Sequence, residues 1–300
     1  MLTIDPKELE VPVLHQYLLG AIGPRPIALA STMDEEGAPN LSPFSFFNVF
    51  GANPPIAIFS PARRGRDNTT KDTFENVKRT REVVINVVNY AMVQQVSLAS
   101  TEYPTGTNEF IKSGLTPIGS ETIKPFRVKE SPVQMECKVM DIIETGQEGG
   151  AGNLVICEVV KMHIDPRVLD ENNTIDQQKI DLVGRLGKNW YVRASGDALF
   201  EVEKPLRTLG IGVDQIPKRI RESYILTGND LGMLGNVEKL PSDEEVIAFS
   251  DHPRIQEIFN QTNDGMERRE LLHQYAKEQL EKGKVMKAWK ALLTDKLNKQ

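Results

Sequence analysis

The chain has 300 residues, of which 39% are apolar and 26% are charged, and this composition excludes disordered and fibrous classes of protein. Its 36 basic and 42 acidic residues give a net charge of −6, which argues against general binding to nucleic acid or to an anionic membrane. No apolar run approaches the ~20 residues that span a bilayer, and the first residues lack the pattern of a secretory signal. We therefore expect a cytoplasmic protein with no membrane segment.

The chain has only two cysteines and four histidines, which argues against a disulfide or a zinc site. Cys137 and Cys157 are predicted to be core thiols, because a large cytoplasmic protein has little use for one disulfide. The four histidines include no pair at i, i+4 spacing, so no metal is predicted.

From about residue 26 to residue 194 the apolar pattern predicts short strands separated by Pro, Gly and Asn. The spacing of these strands is typical of an antiparallel barrel or sandwich. The segment Asp34-Glu-Glu-Gly37 predicts a hairpin, because Gly37 is free to adopt positive φ. The predicted strands are residues 27–33, 41–50, 56–59, 82–88, 133–143 and 153–164.

Two of these strands carry further predictions about burial. The alternation after Val133 predicts that Cys137 points into the core while Glu136 and Lys138 face outward. The strand at 83–88 is apolar on both faces apart from Asn86, so we expect a helix or a second subunit to cover its outer face.

Helices are predicted in two regions of the chain. Residues 72–81 begin with Asp72-x-x-Glu75, a spacing similar to a capping box, and residues 90–100 form a second short helix. After a glycine-rich segment, helices are predicted at 243–248, 254–260 and 265–297, the last broken by Gly283. These changes predict a first domain at 1–200 and a mainly helical C-terminal extension at 201–300.

Residues 63–73 combine positive charge with the start of a helix. Arg63, Arg64, Arg66 and Lys71 stand beside three threonines, and a helix N-terminus favours a bound anion such as a phosphate. The alternative interpretation is a solvated loop followed by a capped helix.

The segment from Ser42 to Asn48 places hydrogen-bonding side chains within an apolar run. A flavin ring needs apolar surface against one face and hydrogen-bonding groups along its pyrimidine edge, and this segment offers both. An ordinary strand and turn with phenylalanines in the core would have the same pattern.

The order of these motifs resembles the flavin reductase-like family of FMN-binding split barrels, over roughly residues 10–235. The motifs are Gly23-Pro-Arg-Pro-Ile-Ala-Leu-Ala-Ser-Thr, Gly37-Ala-Pro-Asn-Leu-Ser-Pro-Phe-Ser-Phe-Phe-Asn, Asn53-Pro-Pro-Ile-Ala-Ile-Phe-Ser, Lys71-Asp-Thr-Phe-Glu-Asn-Val, Glu82-Val-Val-Ile-Asn-Val and Leu182-Val-Gly-Arg-Leu-Gly-Lys-Asn-Trp-Tyr-Val-Arg.

The resemblance implies a mainly β fold, an antiparallel split β-barrel of Greek-key type with short flanking helices. It also implies a homodimer that holds FMN near the subunit interface. The residues expected along the isoalloxazine are Ser31, Thr32, Ser42, Pro43, Phe44, Ser45, Phe46 and Asn48. Those expected toward the ribityl phosphate are Ser60, Arg63, Lys71, Asp72 and Thr73.

The activity implied is an FMN-dependent oxidoreductase in which NADH or NADPH, bound transiently, reduces the flavin. Hydride transfer to flavin N5 requires no protein acid or base, so no catalytic residue is assigned. Two alternatives stay open: an FMN-binding electron carrier, and an interaction module without nicotinamide turnover. Tyr191 and Arg193 could contact the flavin or pack at the rim of a dimer. The C-terminal extension is interpreted as structural cover or, alternatively, as a surface for an oxygenase or another electron acceptor.

Overall fold

The computed structural model describes residues 1–202, 204–205 and 208–296. The chain divides into two compact units, Met1–Phe200 and Glu201–Gln300. None of the helices in the described ranges is long and apolar enough to cross a membrane.

The first unit is built on one antiparallel sheet of seven strands. Its strands are β1 (Ala28–Met33), β2 (Pro39–Phe44), β3 (Phe47–Ala52), β4 (Pro55–Phe59), β5 (Glu82–Val87), β8 (Val133–Glu144) and β9 (Asn153–Ile164). Two short ribbons are formed by β6 (Pro117–Ile118) with β7 (Arg127–Val128), and by β10 (Val183–Arg185) with β11 (Tyr191–Arg193). The helices are α1 (Val11–Ala21), α2 (Asp72–Thr80), α3 (Val93–Leu98), α4 (Glu109–Ser113) and α5 (Gln177–Ile180).

The strand order shows that this sheet closes into a barrel with a split. The order is β2-β1-β5-β8-β9-β4-β3, so β2 and β3 are the two edges. Phe44 ends β2 and Phe47 begins β3, and three residue steps span at most about 11 Å. Since the two edges must meet at this turn, the sheet is rolled into the predicted antiparallel split barrel, and the split lies beside Ser45 and Phe46.

The barrel interior is lined by small and branched side chains together with Phe44, Phe59 and both cysteines. A second core, around Leu29 and Phe110, lies between the outer face of β1 and β2 and the helices α3 and α4, and it includes Val128 of β7. Cys137 and Cys157 are fully buried, as predicted for core thiols.

Several local predictions are confirmed. The strand at 153–164 has the predicted bounds, and Gly37 takes a φ of 91° in the turn between β1 and β2. The predicted strand at 41–50 is wrong as a single element, because the chain turns at Ser45 and Phe46 and continues at the other edge of the sheet. Helix α1 was not predicted.

The outer face of β5 is buried as predicted but under a different element, and the outer face of β8 differs from prediction. Asn86 accepts a hydrogen bond from the Val128 backbone N–H at 2.9 Å, so the chain's own β7 lies over β5 where a helix or second subunit was expected. Glu136 is fully buried, because the backbone N–H groups of Glu121 and Thr122 and the Thr122 hydroxyl donate to its carboxylate. Lys138 is exposed as predicted.

The predicted capping box at Asp72 and Glu75 is also wrong. Lys71 is the N-cap of α2, Asp72 is its first helical residue, and no side chain caps the helix. The Glu75 carboxylate accepts a hydrogen bond from the Thr70 hydroxyl at 2.6 Å instead.

The second unit is helical in its described part. Its helices are α6 (Lys218–Arg221), α7 (Gly228–Gly235), α8 (Asp243–Ser250), α9 (Pro253–Gln261), α10 (Gly265–Glu281) and α11 (Val285–Thr294). The buried Trp289 donates to the Leu234 carbonyl at 3.0 Å within its core. Gly283 separates α10 from α11 with a φ of 70°, as the predicted break requires, and the predicted end at Leu297 lies outside the described residues.

Candidate functional site

A cavity of about 710 Å³ opens at the split of the barrel. Seven of the residues predicted to bind the cofactor line it: Pro43, Phe44, Ser45, Phe46, Ser60, Arg63 and Lys71. The remainder of the wall comes from α1, the loop after β4, Glu102, Gly150 and the end of β10. The structure thus brings the turn between the two barrel edges to the same place as the basic segment before α2.

The turn at residues 43–46 presents a mainly apolar wall to this cavity. Phe44 is buried and packs against Phe59 inside the barrel, with 5.5 Å between ring centroids. Phe46 is 40% exposed, and its ring centroid lies 6.0 Å from that of His15 on α1, with the two rings nearly perpendicular. A planar ligand in the cavity would therefore find aromatic and aliphatic surface at the turn.

Lys71 supplies a cation to the same cavity. Its Nζ lies 5.5 Å from the centroid of the Phe44 ring, and no carboxylate among the described residues lies within the 4.0 Å of an ion pair. Burial lowers the pKa of Lys71, the nearby Arg64 guanidinium lowers it further, and Glu102 partly opposes both. A half-buried ammonium without a carboxylate partner is unfavourable, so this position is suited to an anionic group from a ligand.

Two arginines of the basic segment, Arg63 and Arg64, are held by the loop itself. The Arg63 guanidinium donates to Oδ1 and to the backbone carbonyl of Asn68, both at 2.6 Å. Arg64 donates to the Thr69 hydroxyl at 3.0 Å. Arg63 was predicted to bind phosphate, and in this structure its donors at Nε and Nη2 shape the loop that forms the cavity wall.

Arg25 is a residue of the site that sequence reasoning did not assign. It is 6% exposed and donates to the carbonyls of Leu19, Ile22 and Leu186. These bonds tie the C-terminal end of α1 to the strand β10, both of which line the cavity. Burial and the neighbouring Arg185 lower the pKa of Arg25. Its position in the Gly23-Pro-Arg-Pro motif was the available signal.

A second, small cavity of about 30 Å³ adjoins the first and contains three more of the predicted residues. Ser42, Asp72 and Thr73 line it, and Arg64, Lys71 and Glu102 line both cavities. The unassigned residues Asn40 and Glu109 complete its polar wall.

Buried hydrogen bonds fix the start of α2 against the sheet. Asn40 Oδ1 accepts hydrogen bonds from the hydroxyls of Thr73 at 2.6 Å and Thr32 at 3.2 Å. The Asn40 amide in turn donates to the Glu109 carboxylate at 3.3 Å, and the Leu41 N–H donates to the same carboxylate at 3.0 Å. Burial raises the pKa of Glu109, and the Leu41 and Asn40 bonds partly oppose that rise. Thr32 and Thr73 are thus engaged within the protein in this structure.

Ser31, Thr32 and Asn48 do not line either cavity. Ser31 is fully buried in β1, and its hydroxyl has no hydrogen-bond partner in the described part of the chain. Asn48 is exposed on β3, where its side chain accepts from the Val49 N–H at 2.8 Å. Their assignment to the cofactor stays a prediction.

Tyr191 and Arg193 of β11, which were candidates to contact the flavin, interact with other residues of the protein. Arg193 donates to the Asp181 carboxylate at 2.7 and 2.8 Å and lies 3.9 Å from the Tyr90 ring centroid. Tyr191 packs under the Arg185 guanidinium at 4.6 Å. Among the described residues, no three His, Cys, Asp or Glu side chains cluster so that they could hold a metal ion.

Comparison with known proteins assigns the barrel to a protein family. A family model described as a flavin reductase like domain matches residues 21–180. A protein of Aquifex aeolicus (strain VF5) is 36% identical over 196 residues, which are 65% of this chain and 97% of that protein.

Solved structures show the same likeness. Nitrilotriacetate monooxygenase component B from Bacillus cereus is 30% identical, with a TM-score of 0.63 over 67% of this chain and 98% of that one. The 2-nitrobenzoate 2-nitroreductase NbaA of Pseudomonas fluorescens is 27% identical, with a TM-score of 0.59 over 70% and 100% of the respective chains. A split barrel domain protein from Shewanella frigidimarina NCIMB 400 is 29% identical, with a TM-score of 0.57 over 66% and 96%.

Proposed function

Because the chain belongs to the flavin reductase-like domain family, we propose that it binds FMN in the cavity at the barrel split and reduces it with NADH or NADPH. Membership of this family, together with solved relatives that include a monooxygenase component and a nitroreductase, makes the chain a flavin-related oxidoreductase. The choice of FMN, the nicotinamide donor and the residues that bind them are the proposal.

The observation that carries the choice of FMN is the environment of Lys71. A phosphate on the ligand would give its half-buried ammonium the counter-charge that the protein lacks within 4.0 Å in the described ranges. Helix α2 begins at the same point without a side-chain cap, so its N-terminal N–H groups favour an anion as well. The single anion-binding position formed by Lys71 and the start of α2 matches the single phosphate of FMN.

The remaining walls fit the ring of the same ligand. A cavity of about 710 Å³ is within the size range of small-molecule sites. Pro43 and Phe44 would provide apolar contact for one face, and the Ser45 hydroxyl would provide hydrogen bonding at an edge. Arg25 would act indirectly, since it fixes the end of α1 that forms the opposite wall.

Bound FMN would supply the redox chemistry, as acceptor of a hydride at N5 from the reduced nicotinamide. The task of the protein is then to hold the ring against the turn, to keep the phosphate at the start of α2 and to limit access of water. This requires no protein acid or base, and none is assigned among the lining residues.

A homodimer with the cofactor near its interface is part of this proposal. Helix α1 has no buried residue, and it exposes Val11, Tyr17 and Leu18 by 54%, 48% and 52%. The edge strand β3 exposes Val49 and Phe50 by 59% and 64%. Both elements belong to the unit that carries the cavity, and Val11 itself lines it, so a second copy that covers these apolar residues would also enclose the ligand.

The electrons would pass to an oxygenase or to another acceptor that binds after reduction. The likeness to a monooxygenase component supports an oxygenase as the class of acceptor.

The test is the visible absorption of the purified protein reconstituted with FMN, recorded anaerobically before and after NADH or NADPH is added. We expect one flavin per chain and bleaching of its absorption by at least one nicotinamide. Bound flavin that stays oxidised with both donors would contradict the reductase proposal and favour an electron carrier. A colourless protein that takes up no FMN would contradict the cavity assignment and favour an interaction module. Light scattering tests the dimer, with Phe50→Glu expected to shift the mass toward that of one chain.

A further inference from the structure

Glu102, in the loop between α3 and α4, is the one carboxylate among the described residues that line the larger cavity. It lines the smaller cavity as well, together with Arg64 and Lys71. The side chain is 45% exposed and therefore able to move. Neither the basic segment nor the family motifs pointed to this residue.

The carboxylate of Glu102 is paired with the cations of the basic segment. Its Oε2 lies 2.7 Å from Nη2 of Arg66, and its Oε1 lies 3.6 Å from Nε of Arg64. Glu102 is also close enough to Lys71 to oppose the fall in that lysine's pKa. Three cations of one wall thus face Glu102, and Arg66 has a second carboxylate partner in the neighbouring Asp67, with 3.2 Å between its Nε and Asp67 Oδ2.

A phosphate bound at Lys71 would face the same arginines. A phosphomonoester carries about −1.5 to −2 charges at neutral pH and would form charge-assisted bonds with guanidinium groups. The Glu102 carboxylate bears the same sign of charge and already occupies Arg66. A phosphorylated ligand must therefore displace Glu102 from Arg66 or bind next to a like charge.

We propose that Glu102 is a specificity-determining residue that competes with the ligand phosphate for Arg64 and Arg66. This inference rests on the proposed function. The carboxylate weakens the binding of phosphorylated flavin and leaves that of unphosphorylated flavin nearly unchanged, so that FMN exchanges rather than staying permanently bound. Product release is an advantage for an enzyme that supplies reduced flavin to a separate acceptor.

The experiment compares FMN and riboflavin, which share the ring system and differ in the phosphate. Dissociation constants are measured by fluorescence titration for the wild type, Glu102→Gln and Glu102→Ala, at low and high ionic strength. A matched control is Glu257→Gln, since Glu257 forms an exposed pair of the same length with Arg254, 2.7 Å, in the C-terminal unit. Circular dichroism and thermal unfolding check that each variant is folded.

We expect Glu102→Gln to bind FMN about two- to fivefold more tightly, which is the scale of a partly exposed ion pair. Riboflavin affinity should change by less than about 1.5-fold, and the gain for FMN should shrink in high salt because the charges are screened. Dissociation of FMN, followed by stopped flow, should slow by a similar factor. Glu257→Gln should behave as the wild type.

Weaker or unchanged FMN binding in both Glu102 variants would overturn the inference. An equal gain for FMN and riboflavin would also overturn it, because the effect would then not involve the phosphate. Either result would leave the proposed function intact if the wild type binds FMN and is reduced by a nicotinamide. A wild-type protein that binds neither flavin would remove the proposed function and this inference together.

Discussion

Replacement of Lys71 by methionine is the most direct perturbation of the proposed phosphate site. Methionine retains the length and apolar contact of the lysine stem against Phe44 and removes the charge. A charge-assisted hydrogen bond contributes about 1.5–3 kcal/mol. Since about 1.4 kcal/mol corresponds to a tenfold change, the Kd for FMN should rise about 10- to 150-fold.

The assay is quenching of flavin fluorescence on titration with protein, repeated with riboflavin. Riboflavin affinity should change by less than about threefold, because that ligand has no phosphate for Lys71 to bind. Lys78→Met is the matched control. Lys78 lies in α2, of which Lys71 is the N-cap; its Nζ is 5.1 Å from the Phe74 ring centroid and pairs with Glu144 at the surface. An FMN affinity unchanged in Lys71→Met, or equal losses for both flavins, would refute the assignment of Lys71 to the phosphate.

The same variant should stabilise the protein in the absence of flavin. The pKa of Lys71 is lowered in the folded state from its usual 10.5, so the charged form is disfavoured there. Below the folded pKa, the cost of burying the charged ammonium lowers the wild-type free energy of unfolding. Between the folded pKa and 10.5 the unfolded chain binds more protons, so this cost disappears as the pH rises. Lys71→Met should lack both this cost and its pH dependence, which urea denaturation at neutral and at several alkaline pH values would detect.

Three further predictions concern other parts of the chain. Burial by itself would raise the pKa of Glu136, but hydrogen bonds from Thr122 and its neighbours lower that pKa from 4.5 to about 2. The stability that the Glu136 carboxylate contributes should therefore be present above pH 4.5 and disappear as the pH falls toward 2. Glu136→Gln should flatten urea-denaturation stability across that window, and an unchanged pH dependence would contradict the assignment. Burial raises the pKa of Cys137 to about 12 and that of Cys157 well above 9.0. Ellman's reagent should therefore label neither thiol until urea unfolds the protein. Rapid labelling of the native state would contradict this and show that the barrel interior opens. Deletion of residues 201–300 should change FMN affinity by less than about twofold in equilibrium titration, because every residue that lines the cavity lies in the first unit. A truncated chain that folds but binds FMN much more weakly would refute this prediction.

Local sequence patterns predicted the strands well and their connections less well. Alternating and continuous apolar runs identified β1, β4, β5, β8 and β9 because side-chain period is a local property. The turn between β2 and β3 was missed, since Phe and Ser in one apolar run do not reveal where the chain crosses to another edge. The outward placement predicted for Glu136 failed for a related reason, because its hydrogen-bond donors come from a loop about 15 residues away.

The sequence by itself determined the family, the split-barrel class and a basic segment before α2, because each depends on the order and spacing of residues along the chain. The tertiary structure alone decided which of those residues share a cavity. Glu109 reaches Asn40 across 69 positions, and Arg25 reaches Leu186 across 161, so neither contact leaves a local signal. Glu102 is brought beside Arg66 in the same way, and its competing charge becomes visible only when the barrel has closed.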